Sequence, residues 1–77
     1  MDKRHEDTYR KLKFNITYTR KMQGMSQLRL AEQIGISRTH MSNIEAPNGD
    51  VGISLDVLLD IADALGVPIG KLFEFRD

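Results

Sequence analysis

Five side chains in the stretch RTHMSNIE could do chemistry: Arg38, Thr39, His40, Ser42 and Asn43. Each carries hydrogen-bonding groups on a stem of short or moderate length. Between and after them, Met41 and Ile44 repeat at a helical spacing and would turn the other way. Such a row suits the edges of bases in the major groove of a duplex. An arginine can pair bidentately with guanine O6 and N7, an asparagine can pair with adenine, and a threonine methyl can meet the methyl of thymine. Other chemistry has less to work with. The two histidines, His5 and His40, are isolated and there are no cysteines, so no metal ligand set and no cofactor is expected. Serine, histidine and aspartate are all present, yet nothing resembles a nucleophile elbow, and no catalytic residue is assigned.

A reading helix has to be held at an angle, and the preceding residues look built for that. The segment 30–45, LAEQIGISRTHMSNIE, holds two short helical patterns with Gly35, Ile36 and Ser37 between them. Gly35 supplies the backbone freedom a sharp turn needs. Ile36 can point back into the core, and Ser37 can cap the second helix, 37–46. Helix, tight turn, helix is the arrangement in which the first helix props the second in a groove.

The rest of the chain reads as helices around this pair. Residues 1–7 are polar and lack apolar periodicity, so a flexible N-terminal segment is expected there, with one domain over 8–77. Tyr9, Leu12, Ile16 and Thr19 form one face of a first helix, which Gly24 closes, with Lys11, Lys13, Arg20 and Lys21 mostly off that face. Ser26 can cap the next helix, whose buried stripe is Leu30, Ala31 and Ile34. Pro47 ends the third helix, and 47–52, PNGDVG, is a loop. Ser54 opens a leucine-rich fourth helix with Asp56, Asp60 and Asp63 on its wet face. Pro68 opens a short fifth helix in which Ile69, Leu72 and Phe73 would pack inward. The expectation is an all-α, compact five-helix bundle containing a helix-turn-helix.

At this level of detail GMSQLRLAEQIGISRTHMSNIE resembles the Cro/phage-repressor type of helix-turn-helix domain, the Xre family. LLDIADALGVPIGKLF is similar to that family's last two helices, so the likeness runs over about 12–73. It implies a lambda-repressor-like, DNA-binding transcriptional regulator, a repressor, that acts as a homodimer on a roughly palindromic operator. It implies base contacts by Arg38 and Thr39 at the leading end of the recognition helix and by Ser42 and Asn43 one turn later. Gln27 would reach a phosphate and brace that helix. His40 falls between the base-contacting residues and would touch the DNA backbone or a neighbouring side chain. Apart from the resemblance, the amides near Ser26 and the side chains of Lys21 and Arg29 are the candidates to hold phosphates. Arg20 and Glu45 occupy the places of a structural ion pair.

The chain departs from the family at three places. Thr19 stands where a leucine is usual, and Leu28 where a polar residue is usual. The loop after the recognition helix is about two residues longer and carries Asp50 with no lysine or arginine, so backbone N–H groups at Asn48 and Gly49 would have to meet phosphate.

Charge is zero overall but unevenly spread. Residues 1–45 hold nine Lys/Arg and five Asp/Glu, whereas 46–77 hold two and six, balances of +4 and −4. One half could meet an anion while the other stays clear of it. Neutrality, the acidic loop and Leu28 leave open an alternative: a protein-interaction module using the same helices to bind a partner protein. The lack of cysteine, of a long apolar run and of an N-terminal apolar core segment fits a cytoplasmic protein with no membrane contact. No small-molecule effector site is evident.

Overall fold

The computed structural model describes residues 3–75 of the 77-residue chain. A 3₁₀ turn, Lys3–His5, leads into α1 (Glu6–Met22). Then come α2 (Gln27–Ile34), α3 (Arg38–Glu45), α4 (Leu55–Leu65) and a second 3₁₀ turn, Ile69–Phe73. The all-helical class stands, with four α-helices among the described residues rather than five. The fifth expected helix is the second 3₁₀ turn. It has five residues with Gly70 inside, too few to repay the cost of nucleating an α-helix. From Lys3 to Asp7, where the expected flexible segment 1–7 overlaps the described residues, the backbone is already helical. Asp7 lies 2.9 Å from Arg10 and 3.4 Å from Lys11, ion pairs at helical spacing. No helix of the described residues is long and apolar enough to cross a membrane.

Three serines start the three later helices. The Oγ atoms of Ser26, Ser37 and Ser54 accept from the backbone N–H groups of Arg29, His40 and Val57 at 3.0, 3.0 and 3.2 Å. Gly35 and Gly66 end α2 and α4 at φ 76° and 68°, the left-handed conformation that glycine takes without strain. Replacing Ser37 with alanine is expected to cost about 1 kcal/mol and to lower the melting temperature by roughly 4–8 °C in a thermal unfolding experiment.

The core gathers Leu12 and Ile16 of α1, Leu30 and Ala31 of α2, Met41 and Ile44 of α3, four residues of α4, and Leu72. Ile34 and Ile36 pack against it while half-buried. Phe73, expected inside, is 44% exposed and sits against Phe75, with ring centroids 6.2 Å apart. In so tight a turn only Leu72 reaches the centre.

Two charged residues of α1 also turn inward. Arg20 is buried, and Lys13 is only 1% exposed, although lysine ordinarily stays in water. The side of α1 opposite the core carries Phe14, Tyr18 and Met22, one turn apart and all exposed, with Phe14 and Tyr18 stacked.

Candidate nucleic-acid interface

The helix that carries the candidate reading residues is fixed from behind. Met41, Ile44 and Glu45 are buried on one side of α3, while Arg38, Thr39, His40, Ser42 and Asn43 are all exposed on the other. At 3.6 residues per turn, Thr39, Ser42 and Asn43 share the middle of the exposed arc, with Arg38 and His40 at its two edges. Five polar side chains thus stand on a helix whose own position is set by the core.

Glu45, the last residue of α3, is where three helices meet. Its carboxylate accepts from Arg20 Nη2 at 2.8 Å and Arg20 Nε at 2.9 Å, a bidentate pair. Thr17 Oγ1 of α1 donates to it at 3.0 Å, and Gln27 Nε2 of α2 at 3.2 Å. Arg20 Nη1 donates to the Met25 carbonyl at 2.7 Å, which ties the same guanidinium to the connection between α1 and α2. Thr17 carries no signal of this role in the sequence beyond standing one turn before Arg20. Among the described residues no buried side-chain nitrogen or oxygen lacks a partner.

Gln27 therefore points at Glu45, in contact with α3, rather than standing free for a phosphate. Its amide has two N–H donors, so one remains for an anion. Lys21, Arg29 and Ser26 are exposed around the start of α2. The loop differs more from expectation. Gly49 N–H donates to Ala46 O at 3.1 Å, which closes the first turn after α3, so this amide is already engaged and not available to a phosphate. Asn48 stands at the exposed tip of that turn.

Lys13 supplies what sequence reading missed. Its Nζ donates to Ala46 O at 3.3 Å and to Gly49 O at 3.4 Å, across 33 and 36 residues. The available signal was its place directly after Leu12, at the edge of the apolar stripe of α1. Burial lowers the Lys13 pKa from its ordinary 10.5, with the charge of Asp50 pulling the other way. In the folded chain the ammonium thus loses its proton at lower pH than in the unfolded chain. Below the lowered value both states are protonated and the cost of burial is present in full. As pH rises from there through 10.5, the unfolded chain binds more protons and this contribution favours folding increasingly. Denaturant unfolding at a series of pH values is expected to show wild-type stability gaining on that of Lys13→Met as pH rises through this window.

The acidic residues lie elsewhere. Asp56, Asp60 and Asp63 are exposed on α4, and Asp60 and Asp63 border a shallow groove with Gln33 and Ile34 of α2. Among the described residues there is no group of three or more histidine, cysteine or acidic side chains placed to hold a metal ion.

The sequence pattern of the helix-turn-helix family matches residues 16–72, which takes in α2 and α3, the Arg20–Glu45 pair and all of α4. Among solved structures the chain is similar to the crystal structure of the hypothetical transcription factor NHTF from Neisseria. The two share 35% sequence identity with a TM-score of 0.75, over 88% of this chain and 75% of that one. No curated protein matches the chain.

Proposed function

Because the chain belongs to the helix-turn-helix family, of the Cro/C1 type, we propose that it is a sequence-specific DNA-binding transcriptional regulator that inserts α3 into the major groove. The observation that carries this reading is the exposed row Arg38, Thr39, Ser42 and Asn43 on a helix locked into the core by Met41 and Ile44 and braced at Glu45. In this reading Arg38 pairs with a guanine, Asn43 with an adenine, Thr39 offers its methyl to thymine, and Ser42 bonds a neighbouring base edge. His40 at the edge of the arc, Gln27, Lys21, Arg29, the amides following Ser26 and the loop tip at Asn48 hold phosphates. The chain acts as a homodimer on a roughly palindromic operator, since two-fold symmetry in the protein is mirrored in the site, and it works as a repressor by occupying that site.

Selection of binding sites from random duplex DNA, followed by titration of the preferred site across a salt series, tests the reading. A recovered sequence with inverted half-sites, bound by two chains with an affinity that falls as salt rises, is the expected result. The zero net charge and the loop without cations predict a shallow slope. Binding of no duplex above the non-specific level at low salt would sink it. The exposed Leu28 and the exposed row Phe14, Tyr18 and Met22 favour a second reading, a module that binds a partner protein. That reading predicts an indifferent DNA titration.

A further inference from the structure

The connection from α3 to α4 lacks lysine and arginine, yet a buried cation is fastened to it. Lys13 comes from the opposite side of the sequence and binds the two carbonyls that bracket the first turn of the loop. Ala46 O accepts from both Gly49 N and Lys13 Nζ, and Gly49 O accepts from Lys13 Nζ. The turn is close-packed as well: a Cβ on Gly49 would lie 3.3 Å from Ala46 Cβ and 3.4 Å from Ala46 O. Between these anchored ends stand Pro47 and Asn48, exposed and directly beyond the C-terminal end of α3. Core packing alone does not call for a lysine here. Burying an ammonium is costly unless it is paired, and an apolar side chain of the same length would fill the space.

We propose that Lys13 is a positioning residue for the DNA interface: its ammonium holds the Pro47–Asn48 tip at a fixed height beside α3, so that the side-chain amide of Asn48, exposed at that tip, donates to the operator backbone. The proposal rests on the DNA-binding reading and adds to it a residue that touches no DNA. Phosphate contacts set register and orientation without reading sequence. Losing the clasp therefore weakens all sites alike and leaves the preference between sites unchanged. The clasp also brings a positive charge up behind a loop that has none of its own, which raises the pull on a phosphate at the tip.

The test compares wild type, Lys13→Met, Asn48→Ala and the double variant on the selected operator and on a site with one changed base pair. Melting temperatures are read alongside. Lys13→Met is expected to lose about tenfold affinity, or ~1.4 kcal/mol, on both duplexes with their ratio unchanged. Asn48→Ala is expected to lose affinity in the wild-type background and almost none in the Lys13→Met background, which is the coupling a purely structural lysine would not show. In the DNA-free protein, amide exchange should quicken at the loop in Lys13→Met and not in α3. Should Lys13→Met fail to fold, Lys13→Gln, which keeps one donor, takes its place in the same cycle.

Undiminished binding by Lys13→Met, a changed ratio between the two duplexes, or an Asn48→Ala loss that persists in the variant background would each overturn the proposal. A wild-type chain that binds no duplex overturns the DNA-binding reading itself. Normal wild-type binding with an indifferent Lys13→Met overturns only the role of Lys13.

Discussion

Glu45→Ala costs about 3–5 kcal/mol of folding stability and lowers the melting temperature by roughly 12–40 °C, which leaves much of the protein unfolded at 37 °C. The size follows from what the carboxylate holds. Removing it strands the buried Arg20 guanidinium with a single remaining acceptor, the Met25 carbonyl, and removes the acceptor for Thr17 and Gln27. A chain of 77 residues has only a handful of kcal/mol to lose. Arg20→Ala should be milder, because the carboxylate keeps the donors on Thr17 and Gln27. The double variant Arg20→Met, Glu45→Met should recover much of the loss, since no buried charge is then left alone. Denaturant unfolding of these proteins gives the order of the losses, and adding the Arg20→Ala, Glu45→Ala double variant closes the cycle that yields the coupling energy. Equal losses for the two single alanine variants would show that the extra donors contribute nothing.

Arg38→Ala leaves stability within about 0.5 kcal/mol, because the side chain is exposed. Its effect falls on DNA. Affinity for the preferred operator drops by 1–3 kcal/mol, about 5- to 160-fold, while binding to unrelated duplexes weakens only slightly. Lysine does not restore the loss in full, since an ammonium cannot present the planar fork that meets guanine O6 and N7 together. Titrations of both variants on operator and random duplex are the measurement. A loss that is equal on all sequences would move Arg38 from the base edges to the phosphates. Two residues of one eight-residue helix are expected to fail in separate assays, one in unfolding and one in binding.

Much of this division was legible in the sequence. Serines at 26, 37 and 54 are local signals, and each caps the helix it was expected to open, while Gly35 makes the sharp turn expected between α2 and α3. The alternation of Met41 and Ile44 with polar residues set which side of α3 would be wet. What escaped was decided by contacts between distant parts of the chain. A lysine in a helix reads as solvated, and Lys13 is buried because two carbonyls more than thirty residues away accept from it. Main-chain acceptors leave no mark on side-chain patterns. The family resemblance has Gln27 reach a phosphate and brace α3, but the atom it meets on α3 is set by where the Glu45 carboxylate lands in the folded chain. The proline-led segment after α4 carries the right apolar residues for a helix, and its shortness and Gly70 tip it into a 3₁₀ turn that leaves Phe73 half outside.

An isolated helix of eight residues has almost no order in water, and α3 is ordered because Ser37, Met41, Ile44 and Glu45 tie it at both ends and along its back. That makes its docking on a duplex a rigid-body event with a calorimetric signature. The apolar surface of α3 is already out of water in the free protein, so association should show only the modest negative heat capacity change of the contact itself, without the larger change that accompanies folding on binding. The entropy of ordering the reading helix is spent when the chain folds, once, rather than at every encounter with DNA.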